Sequence, residues 1–164
     1  MFVTMRPYMF NINDVYYCKS IRNKIMTGGM FTRIIYSNNV VSINGVHVAF
    51  SLNGKIHEVY NNKYKFVYDV DTESKNIVEM LEKIEAGILN NYSFPDKTVV
   101  FKLKEQLSAN FFKFFQSKSH IKYSHADNNH VLDSGVGPIL FSLKISGVWS
   151  TDNSYGITYK FTRV

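Results

Sequence analysis

Residues 139–161, Ile-Leu-Phe-Ser-Leu-Lys-Ile-Ser-Gly-Val-Trp-Ser-Thr-Asp-Asn-Ser-Tyr-Gly-Ile-Thr-Tyr-Lys-Phe, constrain the fold more than any other stretch of the chain. Two runs rich in Ile, Val, Leu, Tyr, Phe and Thr flank the polar quartet Thr151-Asp152-Asn153-Ser154, the pattern of a β-hairpin. Trp149, the one tryptophan, ends the first run. A hairpin of this length points to a sheet-based domain.

Other segments supply partners for it. Phe31 to Tyr36 reads as a strand and Ser37-Asn38-Asn39 as a turn; Val40 to Leu52 reads as one long strand or as two joined at Asn44-Gly45. Asn53-Gly54 is a further sharp turn, because both residues tolerate positive φ. Tyr64, Phe66 and Tyr68 alternate, which sets three rings on one face of a strand. After Asp71-Thr72-Glu73 the apolar period changes to that of a helix: Ile77, Leu81, Ile84 and Ile88 form a stripe, with Val78 and Leu89 beside it. Glu79, Glu82, Lys83 and Glu85 fall on the face read as solvated, and acidic residues before the first turn suit the helix dipole. The spacing predicts this helix over about 74–90 and a second, Phe-rich one over about 103–116. Short strands are expected at Val15 to Cys18 and Thr98 to Phe101. Residues 1–27 are otherwise weakly patterned, and 117–137 read as an exposed loop.

With 164 residues the chain fits a single domain, 1–164. Its pattern predicts an α+β fold with a mostly antiparallel sheet, arranged as a small OB-like barrel or, alternatively, as a sandwich. No run approaches the roughly 20 apolar residues of a membrane span, and the opening Met-Phe-Val-Thr-Met-Arg-Pro lacks a signal-peptide core. A single cysteine, Cys18, permits no intrachain disulfide, so an intracellular location is expected.

Enzyme chemistry finds little footing. Cys18 has no nucleophile signature around it. His120, His125 and His130, with Asp127 and Asp133 nearby, do not have the spacing of a metal site and read as solvated loop residues. Gly28-Gly29 and Ser134-Gly135-Val136-Gly137 lack the spacing of a nucleotide-binding loop. No catalytic residue, metal or cofactor is expected.

A net charge of +6 favours a polyanionic partner. Single-stranded nucleic acid needs cations for the backbone and exposed rings on which bases stack. Three stretches interleave the two: Lys63-Tyr64-Lys65-Phe66, the region of Lys102, Lys104 and Lys113 with its phenylalanines, and Lys118 to Tyr123. Tyrosines suit a wet stacking surface, so Tyr60, Tyr64, Tyr68 and Tyr123 lead, with Trp149 in reserve, whereas Phe66, Phe101, Phe111, Phe114 and Phe161 read as core. Arg33, isolated among apolar neighbours, either pairs with a carboxylate or faces a binding groove. The expected nucleic-acid contacts are Arg33, Lys63, Tyr64, Lys65, Tyr68, Lys102, Lys104 and Lys113.

The segment Leu-Lys-Ile-Ser-Gly-Val-Trp followed by Tyr-Gly-Ile-Thr-Tyr-Lys-Phe resembles the C-terminal motif of small proteins encoded by nucleocytoplasmic large DNA viruses, grouped with viral single-stranded DNA-binding proteins of OB fold. Met30-Phe-Thr-Arg-Ile-Ile-Tyr-Ser37 and Val41-Ser-Ile-Asn-Gly-Val46 are similar to that family's N-terminal half, and the likeness runs over about residues 28–163. It implies a protein that binds and protects displaced DNA strands at sites of viral replication in host cytoplasm or nucleus, or in the virion, without a cofactor. Implied partners are single-stranded nucleic acid, other viral proteins and further copies of the chain. The ending Lys160-Phe-Thr-Arg-Val164 departs from binders that carry an acidic tail. The second reading is a structural or assembly module, capsid-associated or scaffolding, that uses an edge strand or Leu103 to Gln116 as its interface.

Overall fold

Ile139–Ser150 and Ser154–Arg163 form the predicted hairpin, and the other long strands are arranged around it. The computed structural model describes residues 3–60, 63–115, 131–133 and 137–164. In chain order these hold β1 (Val15–Tyr17), β2 (Ile21–Arg22), β3 (Met30–Ser37), β4 (Ser42–Asn44), β5 (Val46–Leu52), β6 (Gly54–Tyr60), β7 (Lys63–Tyr68), α1 (Thr72–Asn91), β8 (Thr98–Val100), α2 (Lys102–Ser108), β9 (Phe111–Phe115), β10 (Val131–Asp133), β11 (Ile139–Ser150) and β12 (Ser154–Arg163). No helix among the described residues is long and apolar enough to cross a membrane.

The strands make one mostly antiparallel sheet in the order β1-β3-β11-β12-β9-β7-β6-β10, with β5 also on β11, β2 and β4 on β3, and β8 on β12. The fold is α+β as expected, but the sheet does not close into the expected small barrel. The reason lies in β11 and in the link between β5 and β6. β11 is long enough to take β5 along its first half and β3 along its second. Asn53 alone separates β5 from β6, too little for a hairpin, so the chain passes on and β6 pairs with β7 instead.

The sheet nevertheless rolls strongly. Phe66 on β7 and Phe141 on β11 have ring centroids 4.6 Å apart. With β9 and β12 between them, a flat sheet would hold these strands about 14 Å apart. The concave side is therefore the core, filled by Phe50, Phe66, Phe112, Phe114, Phe141 and Phe161, each at most 1% exposed. Leu81, Ile84, Ile88 and Leu89 of α1 and Leu103 and Leu107 of α2 belong to the same cluster.

Local signals explain most element boundaries. Asp71 caps α1 by accepting the Ser74 N–H at 2.7 Å, which lowers the carboxyl's pKa. The second helix is shorter than its predicted span. α2 stops at Ser108, Asn110 takes a left-handed φ of 58°, and residues 111–115 are a strand with Phe112 and Phe114 turned inward. Of the expected exposed loop, 117–130 and 134–136 lie outside the described residues.

Gly45 separates β4 from β5 at a φ of 84°, and a Cβ there would lie 2.5 Å from the Ile145 carbonyl oxygen. Gly45→Ala is thus expected to destabilise the fold by about 3 kcal/mol through left-handed backbone strain together with this close approach. Urea denaturation measures this, and a loss below roughly 0.5 kcal/mol, the size of an ordinary surface substitution, would refute the close approach.

Candidate nucleic-acid interface

Side chains alternate across each strand, so register decides which residues share the convex face. Lys65 on β7 lies opposite Lys113 on β9 and His57 on β6. Lys144 on β11 lies opposite Lys160 on β12 and His47 on β5. β9 and β12 run parallel with Phe114 beside Phe161, which sets Lys113 next to Lys160. Together they form a continuous row across neighbouring strands: His57, Lys65, Lys113, Lys160, Lys144, His47. Lys113, Lys144 and Lys160 are exposed, while Lys65 and the two histidines are half-buried.

Lys55 and Lys63 widen the row at one end. Arg33, exposed on β3, pairs with Gly147, whose other neighbour is Thr158, two residues from Lys160 on the same face. None of the positions that these strands turn outward, among the described residues, is Asp or Glu. Burial, opposed by a hydrogen bond to the Asn44 carbonyl and reinforced by Lys144, holds the His47 pKa below the ordinary imidazole value. Its ring is therefore neutral at pH 7, and the fold loses stability as acid protonates it in the unfolded chain.

Aromatic rings stand between the cations. Lys65 Nζ lies 4.2 Å from the Phe111 ring centroid and Lys113 Nζ 5.9 Å from it. Phe115 is 54% exposed, with Lys63 Nζ 5.8 Å from its centroid. Lysines so placed shield part of each ring and leave the rest open to a flat group.

The expected contacts divide into separate sets. Arg33, Lys63, Lys65 and Lys113 share the convex face. Tyr64 and Tyr68 do not: they are 1% and 6% exposed, in the core, so the expectation that they stack on bases is corrected. Tyr64 stacks on Phe114 at 5.5 Å, and the Tyr68 hydroxyl donates to the Leu107 carbonyl. Phe111, read as core, is instead half-buried on the outer face. Lys102 and Lys104 sit on α2, where Lys102 pairs with Glu105 at 3.0 Å and Lys104 borders a hollow of about 260 Å³ with Glu79, Glu82 and Lys83. Carboxylates beside them make this a poor seat for a polyanion.

Sequence reasoning missed Lys144, Lys160, Lys55, His47, His57 and Phe115. A signal existed for the first two: Lys144 is the lone cation within an apolar strand, and Lys160 stands between Tyr159 and Phe161, where alternation turns it outward. Trp149 and Phe31 are half-buried on this face too, lying against Gly156 and Gly147, while Phe161 is core as expected. The side chain of Tyr60, the stretch Lys118 to Tyr123 and His120, His125 and His130 lie outside the described residues. No protein-family model, curated protein or solved structure matches the chain significantly.

Proposed function

We propose that the protein is a non-enzymatic module that binds single-stranded nucleic acid across the convex face of its sheet, with little sequence preference. The lysine row carries this reading. Lys65 faces Lys113 and Lys144 faces Lys160 directly across strand pairs, with no carboxylate between them. Like charges in that position destabilise a sheet, and a bound polyanion removes the repulsion. Phosphates neutralise the row while Phe115 and Phe111 offer faces for bases.

Curvature favours a flexible strand. A duplex, stiff over roughly 150 base pairs, meets a convex surface over a short length, whereas a single strand follows it. The resemblance of the terminal hairpin is the ground for placing that strand among displaced DNA in viral replication. Lysines in one contiguous set on the described face support nucleic acid, with Phe115 rather than a tyrosine as the exposed ring beside them.

The test is binding to a labelled thymidine oligomer and to a duplex of equal length across a salt series. With four lysines on phosphates, the log-log slope for the single strand is expected near −2.8. A slope shallower than about −1, or tighter binding to duplex, would count against the reading.

A further inference from the structure

Beside the Lys144–Lys160 pair, the convex face sinks into an apolar hollow of about 370 Å³ bordered by Thr4, Ala49, Leu140, Ser142, Thr162 and Arg163. Ser142 lies opposite both Thr162 and Ala49, one pleat along the strands from Lys144, Lys160 and His47. The distance from the lysine pair to the hollow is therefore about 7 Å. We infer that this hollow receives one nucleobase of a strand whose phosphates lie on the lysine row.

The neighbourhood selects that occupant. An apolar recess next to cations fits an anion with an uncharged body, either a nucleotide or an acyl chain with an acidic head. An acyl chain needs a single headgroup site, but Lys65, Lys113, Lys160 and Lys144 continue the charge over about 14 Å, which suits a polymer of phosphates. Thr4, Ser142 and Thr162 at the border carry hydroxyls, a group type with which a base edge can pair and a hydrocarbon cannot. A few polar groups around an apolar floor are the usual composition of a small-molecule site. Phe111 and Phe115 stack bases on an open surface, while the hollow encloses one.

The inference rests on the phosphate-track reading, and abasic scanning separates the two. Thymidine oligomers with one abasic sugar at successive positions are titrated against the intact protein. One position is expected to bind about tenfold more weakly than the unmodified strand, with an unchanged salt slope. Ala49→Leu, which fills the hollow, is expected to erase that drop while keeping the slope, with circular dichroism verifying the fold. Equal binding at every position, or a drop that survives Ala49→Leu, overturns the base pocket but leaves the track intact. A flat salt response overturns both. Saturable binding of decanoate, with no position dependence among the oligomers, overturns the inference in favour of an acyl chain.

Discussion

A chain carrying Lys113→Glu and Lys160→Glu is expected to bind a single-stranded thymidine oligomer at least about 100-fold more weakly than the parent in roughly 0.1 M salt. It is also expected to melt at a slightly higher temperature. The two effects share one cause. Each lysine–phosphate contact contributes roughly fivefold in affinity at that salt concentration, and each reversal removes one contact and adds one repulsion. The product runs to several hundredfold, so 100-fold is a floor. In the unbound protein the same substitutions turn Lys65 opposite Lys113 and Lys144 opposite Lys160 into pairs of opposite charge. Cross-strand pairs of that kind contribute about 0.2–1 kcal/mol each. Anisotropy titration and thermal melting check both halves. An affinity within threefold of the parent removes the row from the binding surface, and a drop in stability alongside weaker binding leaves simple misfolding as the explanation.

Replacing Glu85 by alanine should cost about 3 kcal/mol and lower Tm by roughly 6–12 °C. Glu85 is 0% exposed although it stands on a helix, and its oxygens accept the N–H groups of Leu103 at 3.0 Å and Lys104 at 2.8 Å. Those donors open α2, whose own residues supply no side-chain cap. Removing the carboxylate leaves them unpaired in a dry site. Glutamine retains one acceptor oxygen and is expected to lose about half as much. Burial, partly offset by the same N–H groups, raises the Glu85 pKa above the ordinary glutamate value of 4.5. The folded protein therefore holds this proton more tightly than the unfolded chain. Stability from this group is greatest below 4.5 and falls as pH rises through the raised value. Melting curves of the parent and the alanine variant should accordingly draw closer between pH 4.5 and neutrality. Equal stability of the two at acid pH would refute the capping role.

Local pattern determined what could be read from the chain. The strand at Met30–Ser37, the terminal hairpin and α1 were legible because their spacing of apolar residues is long and regular. Phe111–Phe115 was not, because a short run of phenylalanine around one lysine has no distinct period. The left-handed turn at Asn110 and the need of the concave side for Phe112 and Phe114 settle it as strand. Alternation at Tyr64, Phe66 and Tyr68 correctly placed three rings together but left open which way they face. The lysines at 63 and 65 between them hold the answer, because ammonium groups go to water. Glu85, read as solvated, is instead buried: it lies four residues from both Leu81 and Leu89, on the buried stripe. Its partners come from a second helix, beyond any local pattern.

That Trp149 shares the face of the lysine row depends on an irregularity. Lys144 and Trp149 are an odd number of residues apart, so an unbroken strand would turn them to opposite faces. The register of β11 against β12 shifts between Ile145 and Gly147, leaving Ser146 extra, and both side chains then face outward. Ser146-Gly147, a glycine within a strand run, is the sequence signal of the bulge.

The position of β11 also orders events during synthesis. β3 and β5 each need it as a neighbour, and their residues leave the ribosome about a hundred positions before it does. Until Ile139–Ser150 emerges, those two strands keep an open hydrogen-bonding edge and Phe50 lacks its contact with Phe141. A nascent chain stopped short of that segment therefore exposes two strand edges, and the curved sheet is completed only when the 139–163 hairpin docks.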